Sequence, residues 1–529
     1  MLKSYFQIIA LLLLVRAAGQ TSSPEFHAWV YFTDKPNITA ALAAPASILT
    51  QKSLNRKARH SITIDARDVP MNQLYVNQIK NNTSITYLSQ SKWFNCVLVK
   101  GQPAAINALL TLSFVSNIDF ADPTKMLAQS SEAKFGQNTT VPLTYGTATN
   151  QITMIGLNML HNTGNTGAGM TIAVTDSGFP NVDTNPGFAQ LRANNGIAGG
   201  YDFVAGDASY IGDHFHGANV LSIMAGNEPG NFEGSAPDAQ YYLFRTEDAA
   251  TETPAELAYW VAAAERADSL GVDVINISLG YLGFDNTAEN LTYADMDGIT
   301  SFMSRGVNVA FEKGMAIVTS AGNSGSSTIH PFISSPADAQ GSFSIGSVTA
   351  SRVKSSFSSI GPTADNRIKP DVAAQGSSTA LINTAGNVTA GSGTSYSAPL
   401  IAGAMACLMQ AFPNQTPQQI VNAVRASASQ STTPDNLLGY GIPNFGFAQQ
   451  TLSGHEARVN DFVYFIQNDR LFIVAPGQNI TNLKLYNLHG QQVLAQAVVQ
   501  DGSVDVTELA SGMYIFKIEG IARGFKIFK

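Results

Sequence analysis

Thr171-Ile-Ala-Val-Thr-Asp176-Ser-Gly178 is the stretch on which the fold turns. Its first five residues are mostly apolar or β-branched, and they read as a strand that ends on a carboxylate and a glycine turn. The same form returns at Val274-Ile-Asn-Ile-Ser278, Met315-Ala-Ile-Val-Thr-Ser320 and Phe343-Ser-Ile-Gly-Ser-Val348, with a helix expected over residues 254–270. Short apolar strands alternating with helices predict a doubly wound α/β fold, a parallel sheet covered on both faces. Ligands in such folds collect at the carboxyl ends of strands, and the first three of these strands run into turns containing Gly and Ser.

On either side of this middle unit the pattern changes. His27-Ala-Trp-Val-Tyr-Phe32 and Trp93-Phe-Asn-Cys-Val-Leu-Val-Lys100 read as strands, with helices expected over 71–80 and 104–110. They predict a small α/β unit, followed by a polar linker over 129–140 that suits proteolytic cutting. The last seventy or so residues carry short strands at 462–466, 470–474, 483–487 and 513–517, separated by turn signals, and predict a small all-β sandwich. At the other end Lys3, the apolar run Ile8–Val15 and the small residues Ala17-Ala18-Gly19 read as a signal peptide. That run is shorter than the ~20 apolar residues a spanning helix needs.

Composition narrows the function classes without choosing one. A chain of 529 residues is long enough for about three to four folded units. Charged residues make up only 13%, and the net charge is −8 with no basic run, which argues against a protein built to neutralise nucleic-acid phosphates. Two cysteines, Cys96 and Cys407, exclude a disulfide scaffold and an all-cysteine metal site.

Three segments of the middle unit carry chemistry. Asp176-Ser177-Gly178 sets a carboxylate at a strand end. His216-Gly217-Ala-Asn-Val-Leu-Ser-Ile-Met-Ala-Gly226 opens a largely apolar helix with an imidazole. Gly393-Thr394-Ser395-Tyr-Ser-Ala-Pro399 leads into a helix expected to reach Phe412, and so sets a serine where backbone N–H groups are unpaired and anions are favoured. A serine hydroxyl is a weak nucleophile. It needs an imidazole to take its proton, and a buried carboxylate to hold that imidazole in the right tautomer. Asp176, His216 and Ser395 supply this set. Ala321-Gly-Asn323-Ser-Gly325 also follows a strand, and an Asn323 amide joined by the Ser395 N–H would bind a developing oxyanion.

Residues 150–450 thereby resemble the subtilisin-like serine protease (subtilase) family. The resemblance is carried, in family order, by Thr-Asp176-Ser-Gly, His216-Gly, Ser278-Leu-Gly280, Ala-Gly-Asn323 and Gly-Thr-Ser395. Gly234-Ser-Ala-Pro-Asp-Ala239, Phe357-Ser-Ser-Ile-Gly-Pro362 and Lys369-Pro-Asp-Val372 support it. It implies a serine endopeptidase in which a peptide substrate lies as an added strand along Ser278, Leu279 and Gly280. It implies no cofactor for the chemistry and allows structural calcium. Three positions depart from the family pattern: Ala218 for the usual Thr, Gln375 for the usual Pro, and Tyr396 where Met often follows the nucleophile. None of them supplies a proton-transfer atom.

The first unit resembles the inhibitory propeptide of such proteases. The last, through Leu485-Tyr-Asn-Leu-His-Gly-Gln491 and Leu509-Ala-Ser-Gly-Met-Tyr-Ile515, resembles the C-terminal sorting domain of Bacteroidetes type IX secretion. The expected order is a signal peptide over 1–19, an inhibitory propeptide and linker over 20–138, a protease domain over 139–455 and a sorting domain over 456–529. The expected product is a secreted or cell-surface endopeptidase. Its expected partners are polypeptide substrates, its own propeptide as intramolecular inhibitor and the type IX secretion machinery, with no nucleic acid.

Rival assignments explain less. His214 stands two residues before His216 but lacks the following glycine and helix, and reads as a solvated loop residue. Ser397 lacks the Gly-Thr lead of Ser395. A nucleophile elbow needs glycine where Ser397 stands and runs Ser, Asp, His along the chain, so an α/β-hydrolase reading fails. Tyr293-Ala-Asp295-Met-Asp297-Gly298 pairs two carboxylates of the kind that ligate calcium. The full calcium-loop spacing is absent, however, and a polar surface segment is the simpler reading. Cys96 and Cys407 fall in pieces expected to part on processing, so no bridge is expected. A degenerate protease fold kept for adhesion is the competing function, and the presence of all four catalytic residue types argues against it.

Overall fold

The computed structural model describes residues 25–121, 138–139, 146–212, 214–453 and 463–529, the last span without 468, 475–481, 488–489, 498–502, 511 and 519–524. The expected signal peptide and most of the expected linker lie outside the described residues.

The N-terminal region is an antiparallel sheet of β1 (Phe26–Phe32), β2 (Ile85–Ser91), β3 (Cys96–Gly101) and β4 (Val115–Phe120), in the order β2-β3-β1-β4. Helices α1 (Gln51–Arg59) and α2 (Gln73–Lys80) accompany it. Successive side chains of a strand point to opposite faces. Ala28, Val30 and Phe32 therefore enter the sheet's own core, while Trp29 enters a second core shared with helices further along the chain. The strand expected over 93–100 starts only at Cys96, because Asn95 adopts a left-handed φ of 52° and makes the β2–β3 turn.

The central sheet has seven strands: β5 (Thr171–Asp176), β6 (Ile197–Asp202), β7 (Gln240–Arg245), β8 (Val274–Ile277), β9 (Ala316–Ser320), β10 (Ser342–Val348) and β11 (Val372–Gln375). They are parallel throughout, in the order β11-β10-β9-β8-β5-β7-β6. This is the expected doubly wound α/β class. Every residue of β5 is buried. Ile172 and Val174 pack into the core that holds α3 (His216–Ala225) and α6 (Thr394–Ala411). Ala173 packs into the one that holds α4 (Ala255–Leu270) and α5 (Phe302–Glu312). From β5 the chain runs to the edge strand β6, comes back to insert β7 between them, then crosses to add β8 to β11 on the other side. The strand order thus reverses between β5 and β8, and the crevice beyond their carboxyl ends is where such a sheet accepts ligands.

Among the described residues no helix is long and apolar enough to cross a membrane. Cys96 and Cys407 are both buried and unbridged. The chain from residue 453 onward forms a second compact unit. It holds two antiparallel sheets, one of β12 (Val463–Gln467), β13 (Arg470–Val474) and β16 (Ser503–Asp505), the other of β14 (Asn482–Tyr486), β15 (Gln492–Ala497), β17 (Met513–Ile518) and β18 (Phe525–Phe528). Leu471, Ile473, Leu483, Leu485, Val504 and Phe516 fill the core of this small all-β unit.

Up to Leu452 the chain is one compact unit, in which the N-terminal sheet lies on α4 and α5. Trp29 stacks on Phe302 with ring centroids 5.0 Å apart. Glu265 of α4 accepts from Ser91 Oγ at 2.6 Å and from the N–H groups of Trp93 and Lys92 at 2.9 and 3.0 Å. Charges continue the boundary. Arg56 and Lys57 of α1 meet Asp268 of α4, Lys57 lies 3.3 Å from Asp68, and Lys313 lies 2.7 Å from Asp68 and 3.0 Å from Asp65. Arg56, Lys57, Asp68, Asp268 and Lys313 are all buried. Arg56 also donates to the Val272 carbonyl, so α1 supplies the cation that the last turn of α4 lacks. Removing one member of a buried pair strands its partners. Asp268→Ala should therefore lower the stability of the unprocessed chain by about 3–5 kcal/mol. Arg67→Ala, at partly exposed pairs with Asp65 and Glu312, should cost about 1 kcal/mol. Urea-unfolding midpoints of the two variants check the contrast.

Candidate active site

Asp176 closes β5, beside Arg245 at the end of β7. Its Oδ1 accepts from the N–H of Ser177 at 2.8 Å and from the Ser177 hydroxyl at 3.1 Å, and it lies 2.8 Å from His216 Nδ1. Asp176 and His216 are completely buried. A carboxylate facing Nδ1 holds the proton there, which leaves Nε2 as the basic nitrogen. His216 reaches this position because it is the first residue of α3 and is followed by glycine. A Cβ at Gly217 would stand 2.4 Å from the Gly178 carbonyl and 2.8 Å from Asp176 Cβ.

Ser395 is the second residue of α6, and Pro399 four residues on explains its setting. A proline has no N–H to give to the carbonyl four residues back. That carbonyl, Ser395 O, accepts instead from Ser278 Oγ at 3.0 Å. The Ser395 hydroxyl in turn donates to Ser278 O at 3.2 Å, longer than a normal O–H···O bond and readily given up. Helices α3 and α6 pack on each other, and the Tyr396 ring lies 5.9 Å from that of His216. Burial pushes the Tyr396 phenol up to about 12, so this departure from the family pattern is an uncharged wall of the site.

Asn323 follows β9 and is half-buried. Its Oδ1 accepts from the N–H of Thr394 at 2.9 Å and from the Thr394 hydroxyl at 3.1 Å, and that hydroxyl accepts from Gly322 N–H at 3.1 Å. With the oxygen engaged, the amide orientation is fixed and Nδ2 is the end left to donate outward. A Cβ at Gly393 would lie 3.8 Å from both Asn323 Nδ2 and Ser395 N, so the two donors flank that glycine. Next to them, Ser278 and Leu279 are buried and Gly280 reaches the surface.

The sequence profile of the Subtilase family matches residues 167–441. The chain belongs to the subtilase family. Subtilisin BL of Lederbergia lenta is 30% identical over 289 residues, 54% of this chain and 92% of that protein. Subtilisin DY of Bacillus licheniformis is 29% identical over 273 residues, 51% of this chain and 89% of that one. The solved MycP3 protease of the type VII (ESX-3) secretion system superposes with a TM-score of 0.49 at 23% identity, over 60% of this chain and 92% of its own. Residues 27–137 match the Peptidase S8 propeptide domain of Bacteroidota, and residues 467–525 match the secretion system C-terminal sorting domain. The protein is a subtilisin-like serine peptidase with a propeptide and a type IX sorting domain, which marks it for export to the cell surface or beyond.

His214 departs from its sequence reading, whereas Ser397 keeps to it. His214 is more than a solvated loop residue: it is half-buried, with Nδ1 2.8 Å from Ser177 Oγ. Ser397 Oγ is turned back on the Thr394 carbonyl at 3.0 Å. Thr394, Ser177 and Arg245 escaped the sequence reading, although the first two flank residues it singled out. The carboxylates of 293–298 fit calcium poorly. Asp295 is engaged by the N–H and hydroxyl of Thr292, and Asp297 by the N–H groups of Ile299 and Thr300. Glu247, Glu252 and Glu256 place ligand oxygens within 4.8 Å of one another. Tyr281 OH donates to Glu247 at 2.6 Å, and Asp248 N–H donates to Glu256 at 3.1 Å.

Gly217→Ala tests the close approach of α3 to β5. The added methyl must push α3 off the strand, and kcat/KM on a peptide ester should fall at least ~10²-fold, the scale of a 1 Å misplacement. Steady-state assays alongside circular dichroism separate this from loss of the fold.

Proposed function

We propose that the protein is a secreted endopeptidase that cuts peptide bonds through an acyl-enzyme on Ser395. The observation that carries this reading is the buried 2.8 Å contact of Asp176 with His216 Nδ1, on the helix that packs against α6, whose second residue is Ser395. In this reading Ser395 Oγ leaves its long bond to Ser278 O and attacks the scissile carbonyl. His216 Nε2 takes the hydroxyl proton and passes it to the leaving amine. Asp176 keeps the Nδ1 tautomer and steadies the imidazolium. Asn323 Nδ2 and the Ser395 N–H, at the start of α6, stabilise the oxyanion. Water then repeats the sequence on the acyl-enzyme and frees the serine. A substrate strand lies along Ser278, Leu279 and Gly280, with the exposed Gly280 as its docking edge.

The processing scheme belongs to the same proposal. The signal peptide covers 1–19, the propeptide and linker 20–138, the protease domain 139–455 and the sorting domain 456–529. The propeptide serves as intramolecular inhibitor until the linker is cut, the type IX machinery carries the chain across the outer membrane, and the substrates are polypeptides. The chemistry itself uses this chain's own side chains, the Ser395 N–H and water.

Ser395→Ala should abolish cleavage of casein and labelling by a fluorophosphonate while leaving the circular dichroism spectrum unchanged. Cleavage at the wild-type rate by that variant overturns the assignment. Asn323→Ala should lower kcat by about 10²–10³ with little change in KM, a scale taken from a subtilisin, because its amide is called on only as the oxyanion forms. Stopped assays on a peptide anilide measure the split.

A further inference from the structure

We propose that His214 is a positioning residue that sets the working pH of His216 through Ser177 and Asp176. The proposal rests on the Asp176–His216–Ser395 reading. Ser177 Oγ lies 2.8 Å from His214 Nδ1 and 3.1 Å from Asp176 Oδ1, and that same oxygen lies 2.8 Å from His216 Nδ1. One carboxylate oxygen therefore serves two imidazoles, His216 directly and His214 through a single hydroxyl.

The hydroxyl has one hydrogen to give. When His214 Nδ1 carries no proton it accepts that hydrogen, and Asp176 loses a donor. When His214 is an imidazolium its Nδ1–H donates to Ser177 Oγ, and the hydroxyl turns its hydrogen onto Asp176. Protonating His214 thus adds a hydrogen bond to the carboxylate and a positive charge to the network. Both effects disfavour a second positive charge on His216. His216 then keeps its free-base form to lower pH, and the enzyme works further into the acid range than its main pair alone would allow.

The charges around the network leave this role to His214. Arg245 of β7 donates from Nε to Ser177 O at 3.1 Å, and its Nη1 lies 2.8 Å from Asp202 Oδ2 of β6. Asp248 lies 3.9 Å from the other end of the same guanidinium. Those three form their own ion cluster. The flanking Phe215 ring, 4.6 Å from that of His214, brings no charge, and Asp213 lies outside the described residues. Imidazole is the side chain whose ordinary pKa, about 6.5, lets its charge change across neutral pH.

The test is the acid limb of kcat/KM for the processed enzyme on a small peptide anilide, followed over about pH 4 to 9. The wild-type limb should fall less steeply than one proton gives, because protonating His214 opposes protonation of His216. His214→Gln should move the limb up by ~0.5 pH unit or more and restore the slope of a single proton. Ser177→Ala should move it in the same direction, and the double variant should add nothing further. Superposable wild-type and His214→Gln limbs overturn the proposal, as does a change confined to KM. If His214→Gln fails to accumulate, a Ser177→Ala limb that superposes on the wild type overturns it. Fluorophosphonate labelling keeps the two readings apart: labelling with unshifted limbs removes only the role of His214, whereas an unlabelled wild type removes the underlying triad.

Discussion

The contact between Asp176 and His216 places two ionisable groups in complete isolation from water, and most of the surrounding structure is arranged to make that tolerable. A buried carboxylate without partners is strongly disfavoured. Here one oxygen gathers the Ser177 N–H, the Ser177 hydroxyl and the imidazole, all at a strand end. Such a cluster needs its donors within a few tenths of an ångström. The middle of a seven-stranded parallel sheet provides that rigidity, since β5 is hydrogen-bonded to neighbours on both sides. Gly217 then lets α3 descend onto the strand until Asp176 and His216 meet.

The same logic runs through the serine side. Pro399 removes a helical hydrogen bond, and the carbonyl it releases is used to tie α6 to the loop after β8 through Ser278. Thr394 fixes the Asn323 amide with two bonds to its oxygen. The proposed reacting groups are therefore oriented by hydroxyl neighbours, Ser177 beside Asp176 in sequence and Thr394 and Ser278 across gaps of 71 and 117 residues. A change at Thr394, Ser278 or Ser177 would disturb chemistry without removing a reacting atom.

These neighbours mark the limit of what the sequence disclosed. The sheet was legible from β5, β8, β9 and β10, because each carries β-branched or aromatic residues next to a turn signal. β6 escaped because Ile-Ala-Gly-Gly-Tyr-Asp carries two glycines and lies at the sheet edge, and β11 because Val-Ala-Ala-Gln has a single β-branched residue. β7, Gln-Tyr-Tyr-Leu-Phe-Arg, carried a usable aromatic signal. Asp176, His216, Asn323 and Ser395 were legible because each stands in a short motif with glycine beside it. His214, Arg245 and Thr394 were not, since their importance lies in hydrogen bonds between segments that are remote in sequence or only adjacent to a motif. Nothing in the sequence indicated that α1 would meet α4 through buried charge.

That buried charge bears on the proposed removal of the propeptide. An interface that must later open faces a conflict, because apolar surface strong enough to hold it closed would be left exposed as an adhesive patch. Part of this interface is apolar, around Trp29 and Phe302. The rest is made of groups that water can receive. Burial holds the Glu265 carboxyl above its ordinary range while Ser91, Lys92 and Trp93 donate to it. Once those donors leave, solvent replaces them, and Glu265, Asp268 and Lys313 become an ordinary hydrated surface. Buried ion pairs gain little net stability, since desolvation offsets most of their attraction, but they are costly to mispair. A propeptide joined in this way is held in one register while covalently attached. Its departure then leaves a mature surface of polar groups that can remain soluble outside the cell.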